Sequence, residues 1–161
     1  MRLAPAEVLA LVPQARPMRF IDEILELDEE HILAAYTWRM EDCEGHFPGY
    51  PVVPGVKLIE MAAQVGSVAW CIYHLALDNT LEEIRGLVGL FTGIERGVFK
   101  KAVRPGDKVA ALATFGDDGY FRGNKLVSWV EIQFSGGPKD GEEVFSGSTA
   151  GLFIPKGSEG L

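Results

Sequence analysis

The stretch GHFPGYPVVPGVKLIEMAAQ, residues 45–64, determines how the rest of the chain is interpreted. It opens with a histidine in a loop that contains three prolines, and it ends in an apolar segment that carries one carboxylate, Glu60. Proline fixes the backbone angle φ and glycine permits sharp turns, so the loop is predicted to be stiff. A stiff loop can hold His46 in a defined position beside a helix that starts near Gly55.

The segment from Gly55 to about Ala76 is predicted to be a long buried helix. Pro54 stands directly before the first turn, where a helix tolerates proline. Five polar residues recur at helical spacing along one stripe, and almost every other side is apolar. These polar residues are Lys57, Glu60, Gln64, Ser67 and His74. A helix that is apolar on nearly every side must be covered, most economically by a sheet.

His46 and Glu60 are the candidate acid-base pair. An apolar environment favours the protonated form of a carboxyl group, so Glu60 is predicted to act as a proton donor. The backbone N–H groups of Gly55 and Val56, at the predicted helix start, are free to bind developing negative charge. Cys43 and His46 have the spacing of two zinc ligands, but no second pair follows at a usable spacing, so no metal site is expected.

Length and composition favour one globular domain that spans residues 1–161. The chain has 47% hydrophobic residues, enough for one sizeable core. Residues 1–15 are expected to form an N-terminal helix or lid, and residues 156–161 a flexible tail. The uncharged run at 61–77 is short for a membrane span and contains polar residues, so no span is expected.

Charge and cysteine content narrow the partners and the compartment. The formal net charge is -8 and the sequence pI is about 4.9, which argues against a nucleic-acid binder. Two cysteines, Cys43 and Cys71, form no disulfide framework, so a reducing, cytoplasmic location is expected.

One region of the chain is basic. Residues 85–108 contain six basic and two acidic side chains, a local balance of +4. A localised basic region on an acidic protein suits a small acidic partner. A solvated edge strand protected by lysines would have the same composition, and the sequence leaves both interpretations open.

The order of the segments predicts an α+β fold. A short helix is expected at 5–11, and strands are expected at 20–27, 32–38, 86–99, 108–115, 126–134 and 144–154. Asp78 or Asn79 is expected to cap a brief helical turn after the long helix. One long apolar helix wrapped by a curved antiparallel sheet of about six strands is the arrangement called a hotdog fold.

The motifs GHFPG and PVVPGV, followed by Glu60 and Gln64, strongly resemble the FabZ-type beta-hydroxyacyl-acyl-carrier-protein dehydratases of the FabA/FabZ-like hotdog family. RPMRFIDEILELD at 16–28 is similar to the family's first strand, and GIERGVFKKAVRPGD at 93–107 is similar to a later strand and turn. The resemblance covers roughly residues 16–155.

The resemblance implies an enzyme that removes water from 3-hydroxyacyl thioesters to give trans-2-enoyl thioesters, in fatty acid or related polyene or polyketide biosynthesis. By position, His46 and Glu60 match the catalytic residues, and the Gly55 N–H matches the group that binds the thioester oxygen. Val56 and Gln64 are expected to contact the substrate. No cofactor is implied.

The resemblance also implies partners. The acyl chain would arrive on the phosphopantetheine arm of an acyl carrier protein, which favours a docking role for the basic region. The expected docking residues are Arg96, Lys100, Lys101 and Arg104. The implied working unit is a homodimer with active sites between the subunits, and three dimers can form a hexamer.

Two features depart from the family pattern. Lys57 stands where the family usually has an aliphatic residue, and Met61-Ala62 inverts the usual order of small and large residues, so the shape of the acyl tunnel is not implied. Glu60 could also simply form an ion pair with Lys57. A hotdog acyl thioesterase and a non-catalytic acyl-binding hotdog protein remain the alternative functions.

Overall fold

The computed structural model describes residues 1–160. An N-terminal helix, Pro5–Leu11, precedes two strands, a 3-10 helix and the central helix, and a short helix and five more strands follow. The first group is β1 (Glu23–Leu27), β2 (His31–Thr37), the 3-10 helix Met40–Cys43 and the central helix Gly55–Asp78. The second group is the helix Leu81–Arg85, β3 (Leu87–Phe99), β4 (Lys108–Thr114), β5 (Tyr120–Arg122), β6 (Lys125–Phe134) and β7 (Glu143–Pro155).

All strands belong to one antiparallel sheet, in the order β1-β2-β4-β6-β7-β3, with β5 added to β6 as a short hairpin. Burial alternates along β4 and β6, because one face of the sheet packs on the central helix while the other faces outward. The predicted α+β architecture is confirmed, with six strands along the main path. The hairpin strand β5 was not predicted, since its sequence reads as a turn-rich loop.

The central helix is the core of the molecule. Residues 61–76 are all buried, and the helix packs against β2, β3, β4, β6 and β7. A π-helical segment, Gln64–Ala69, interrupts its α-helical geometry without ending it. By length and composition alone the helix could cross a membrane, but 72% of its apolar window is buried inside the protein, as in a core helix.

Two local predictions were wrong. The first strand begins at Glu23 and not at Phe20, because the Phe20 N–H donates to the Gln64 side chain and so is not available to a strand partner. The short helix after the central one is capped by Thr80, whose hydroxyl accepts a hydrogen bond from the Glu83 N–H, and not by Asp78 or Asn79.

The helix and sheet approach each other closely at Gly66. A Cβ atom there would lie 2.4 Å from the Ser128 hydroxyl oxygen and 2.7 Å from a methyl carbon of Val130. The neighbouring hydroxyls are paired: Thr149 lies 2.8 Å from Ser67 and 3.1 Å from Ser128, oxygen to oxygen. Only glycine leaves room for this hydrogen-bonded contact between helix and sheet.

We predict that Gly66→Ala destabilises the protein. In an exposed helix the same change stabilises by up to about 1 kcal/mol, because alanine is the better helix former. Here the added methyl group overpacks the contact, so the free energy of unfolding should fall by about 1–3 kcal/mol. Urea denaturation of the two proteins measures the difference, and an increase in stability would show that the contact is looser than described.

Two histidines outside the 45–64 stretch have opposite environments. His74 is buried against Trp70 and Phe121, and burial lowers its pKa although the charge of Glu29 opposes that shift. Within residues 1–160 its Nε2 atom has no hydrogen-bond partner. His31 is the first residue of β2, where its hydrogen bond to Glu26, 2.7 Å long, and the nearby Asp28 raise its pKa.

These shifts predict opposite pH effects on stability. As the pH falls below the ordinary histidine pKa of about 6.5, His74 binds a proton in the unfolded chain more readily than in the folded protein, where it is buried. His74 therefore lowers the free energy of unfolding at acidic pH. His31 contributes stability at low pH that is lost as the pH rises through its raised pKa. The free energy of unfolding of His74→Phe, measured relative to wild type, should therefore be higher at pH 5 than at pH 8. For His31→Gln the same difference should be lower at pH 5 than at pH 8. Urea unfolding at both pH values tests this, and differences of the same sign would contradict it.

Candidate active site

The His46 loop fixes the imidazole through its ring and its backbone. The His46 N–H donates to the Cys43 carbonyl at 2.9 Å, and the His46 carbonyl accepts from the Val52 N–H at 2.8 Å. The ring atom Nδ1 lies 2.8 Å from the Val52 carbonyl oxygen. A carbonyl can only accept, so Nδ1 carries the hydrogen. In the neutral ring, Nε2 is therefore the basic nitrogen.

The turn that follows His46 holds this geometry. Phe47 and Tyr50 exchange two backbone hydrogen bonds of 2.9 Å each, and Gly49 between them adopts a positive φ of 72°. The Phe47 ring stacks on His46 with 4.1 Å between ring centroids. Past the turn, the Val53 N–H donates to the Val103 carbonyl at 2.8 Å and so ties the loop to the β3–β4 connection. The proline- and glycine-rich sequence thus produces the predicted stiff loop.

In the part of the chain that the structure describes, backbone N–H groups at the start of the central helix, next to His46, have no hydrogen-bond partner. Lys57 and Leu58 donate to the Pro54 carbonyl, so the amides of Gly55 and Val56 precede the first intrahelical bonds. No acidic residue occupies the first turn, which leaves the positive end of the helix dipole free for a ligand. A cavity of about 360 Å³ opens here, and its lining includes His46, Gly55, Leu58 and Phe99.

Glu60 is oriented by Gln64 one turn further along the helix. The Gln64 amide oxygen accepts from the Phe20 N–H at 2.8 Å, so the amide nitrogen faces the other way. That nitrogen donates to the Met18 carbonyl at 2.6 Å and to Oε1 of Glu60 at 2.9 Å. Since Oε1 is an acceptor, the proton of a neutral Glu60 belongs on Oε2.

The structure brings two of the predicted catalytic and substrate-binding residues together at one cavity, which His46 and Gly55 line. The other three do not belong to its lining: Glu60, Val56 and Gln64. Across residues 1–160 no ion pair joins Lys57 to Glu60, so the simple pairing of these two side chains is not formed. The Lys57 ammonium donates instead to the Asp42 carbonyl at 2.8 Å.

The basic residues divide into two groups. Lys100 and Lys101 line the His46 cavity and form ion pairs with acidic residues of the β6–β7 region, Glu143 at 2.7 Å and Glu142 at 2.8 Å. Arg104 donates to the Tyr50 hydroxyl at 2.8 Å, at the turn after His46.

Arg96 lies apart from these three residues. Its guanidinium stacks over the Trp129 ring, 5.1 Å from the ring centroid, and lies 3.6 Å from the Asp118 carboxylate. Three of the four predicted docking residues therefore surround the site.

Sequence reasoning missed two contributors to this site. Phe99 lies against the helix start, with two ring carbons 3.2 Å from the position a Gly55 Cβ would occupy. Its position at the end of a long apolar strand is the only signal the sequence offers. Tyr50 packs under Arg104, 4.8 Å from guanidinium carbon to ring centroid, and no pattern marks that pair in advance.

The site places a base, Nε2 of His46, beside the backbone N–H groups of Gly55 and Val56, which are free to bind an anion. Such a site can remove a proton next to a carbonyl and stabilise the negative charge that moves onto its oxygen. The sequence model of the ApeI-like family, described as ApeI dehydratase, matches residues 29–120. The chain belongs to this dehydratase family.

Curated relatives agree with this assignment. The 3-hydroxyacyl-[acyl-carrier-protein] dehydratase FabZ of Streptococcus pyogenes serotype M5 is 36% identical over 111 residues, which are 68% of this chain and 74% of the relative. The FabZ of Petrotoga mobilis is 39% identical over 105 residues, 64% of this chain and 69% of the relative. The enzyme is thus a hydro-lyase.

Solved structures show the same hotdog fold. In the dehydratase heterocomplex ApeI:P from Xenorhabdus doucetiae, one chain matches with a TM-score of 0.71 at 17% identity, covering 96% of this chain and 94% of that one. A thioesterase from Haemophilus influenzae matches with a TM-score of 0.65 at 19% identity, covering 100% and 97%. At these identities the likeness concerns the fold and not the reaction.

Proposed function

We propose that this dehydratase removes water from 3-hydroxyacyl thioesters carried by an acyl carrier protein, giving trans-2-enoyl thioesters. The observation that supports this best is the hydrogen bond from Nδ1 of His46 to Val52, because it leaves Nε2 free as a base beside the helix start. Fatty acid synthesis, or a related polyene or polyketide route in the cytoplasm, is the proposed setting. The two free, buried thiols, Cys43 and Cys71, fit a reducing compartment.

In the proposed mechanism, Nε2 of His46 removes a proton from C2 of the substrate. The negative charge that moves onto the thioester oxygen is bound by the N–H groups of Gly55 and Val56. Glu60 then donates its Oε2 proton to the C3 hydroxyl, the C3–O bond breaks, and the C2–C3 double bond forms as water leaves. These steps balance without a cofactor.

The proposed docking surface for the carrier protein consists of Lys100, Lys101 and Arg104. These side chains lie at the cavity that His46 lines or at the turn beside it, where they can contact a phosphopantetheine phosphate or an acidic carrier surface. Arg96 lies outside this surface and would add only long-range attraction.

We propose further that the working unit is a homodimer, joined through β3. This strand is an edge of the sheet, and apolar side chains along it are exposed. They are Phe91, Ile94, Val98 and Phe99. Val56, at the helix start, is 73% exposed. A second copy of β3 would cover these residues, and three such dimers would give the hexamer that the family resemblance implies.

A dimer would also complete the active site. Glu60 does not line the cavity of His46 in the same chain. A facing copy of the central helix can supply its own Glu60 to that cavity, and the two-fold relation would create two equal sites. Gln64 would then act by orienting the glutamate that serves the partner's site.

We predict that His46→Ala and Glu60→Gln each lower turnover at least about 100-fold, the usual scale for losing a positioned base or acid. Loss of 3-hydroxyacyl thioester and release of free thiol should be followed together. The wild type should form enoyl thioester without releasing thiol. Thiol release would favour the thioesterase, and tight product binding without turnover would favour a non-catalytic acyl-binding protein.

Mixing the two inactive variants tests the shared site. Under random subunit exchange half of the dimers are mixed, and each mixed dimer has one intact site and one doubly damaged site, so activity should recover to roughly a quarter of wild type. Mass spectrometry verifies the exchange. Background activity in a fully exchanged mixture would place His46 and Glu60 of one chain in the same site.

A further inference from the structure

Lys57 occupies an unusual position for a lysine. It lies in the first turn of the central helix, where a positive charge opposes the helix dipole, and it is only half-buried. Its ammonium lies 5.9 Å from the centroid of the Phe20 ring and donates to the Asp42 carbonyl at 2.8 Å. No other donor in the part of the chain that the structure describes reaches that carbonyl.

Asp42 is the anchor of the 3-10 helix that leads to His46. Its side chain is buried and accepts hydrogen bonds from the Tyr36 hydroxyl at 2.7 Å and the Arg39 N–H at 2.9 Å. Burial, with the hydrogen bond to Asp42, raises the pKa of Tyr36 to about 12, so the hydroxyl remains a donor at neutral pH. Asp42 is therefore held from the sheet by Tyr36 and from the central helix by Lys57.

This anchor is connected directly to the base. The residue after Asp42 is Cys43, whose carbonyl accepts the backbone N–H of His46. The imidazole of His46 is held separately, by the Val52 carbonyl. A displacement of the 3-10 helix would therefore move one of the two supports of the imidazole and leave the other in place.

We propose that Lys57 is a positioning residue for His46. Its ammonium ties the first turn of the central helix to the 3-10 helix and thereby sets the distance between the helix start and the imidazole. The expected effect of Lys57 on the reaction rate rests on the proposed function. Its expected effect on the His46 loop rests on the hydrogen bonds alone. It assigns Lys57 a role other than neutralising Glu60, to which it forms no ion pair.

The test uses Lys57→Met, which keeps the apolar stem and removes the donor, and Lys57→Arg, which keeps a charged donor. Lys108→Met is the matched control, since Lys108, at the start of β4, forms an exposed ion pair with Glu23. Lys57→Met should lower kcat about 10-fold with KM changed less than about twofold, because misplacement of a base affects the chemical step. Lys57→Arg should restore kcat to within about threefold of wild type, and Lys108→Met should match wild type.

Hydrogen exchange gives a readout that needs no turnover. The backbone amides of residues 40–47 should exchange faster in Lys57→Met than in wild type, Lys57→Arg or Lys108→Met. If the proposed reaction is wrong, wild type shows no turnover while this exchange difference remains. Tyr36→Phe loosens Asp42 from the sheet side and should show the same loss of kcat at unchanged KM, which keeps the test informative if Lys57→Met does not fold.

Several outcomes would overturn the proposal. Wild-type kcat in Lys57→Met would do so whatever the exchange data show, as would a loss confined to KM. If Lys57→Arg folds but its kcat is as low as that of Lys57→Met, the proposal that a positively charged donor forms the tether is also contradicted. A shift of the pH profile with unchanged exchange would assign Lys57 an electrostatic role instead.

Discussion

The hydrogen bond from Nδ1 of His46 to the Val52 carbonyl is the constraint on which the site depends. It selects the tautomer in which Nε2 has the free lone pair, and it fixes the plane of the ring. The bond exists because the chain reverses between His46 and Val52 through a turn that needs Gly49 at positive φ. The chemistry of the site therefore follows from the backbone of a short, proline-rich loop.

The rest of the fold holds the loop and the carboxylate in place. The sheet packs so closely on the central helix that a methyl group does not fit at position 66. This contact fixes the position of the helix that begins at Gly55 and carries Glu60. Gln64 connects Glu60 to the backbone at Met18 and Phe20. A rigid core is useful here because a base and an acid must each meet one substrate at hydrogen-bonding distance.

The sequence predicts the long-range plan better than the side-chain contacts. Helical periodicity, the prolines and the alternating strands were sufficient for the buried helix, the antiparallel sheet and the stiff His46 loop. The backbone partners of Gln64 and Lys57 could not be predicted, because Phe20 and Asp42 lie 44 and 15 positions away and no residue pattern marks which backbone group a side chain will meet. The starting point of β1 was missed for the same reason, since the Phe20 amide is bound to a side chain of another element.

The state of the His46 ring tests the central claim most directly. The 15N NMR spectrum of the protein with labelled histidine, assigned by its difference from His46→Ala, reports which ring nitrogen carries the proton. At a pH where the ring is neutral, we expect a protonated Nδ1 and an unprotonated Nε2. A neutral ring with the proton on Nε2 would contradict the account, because the nitrogen facing the Val52 carbonyl would then have no hydrogen to donate, and the base assigned to the reaction would already be occupied.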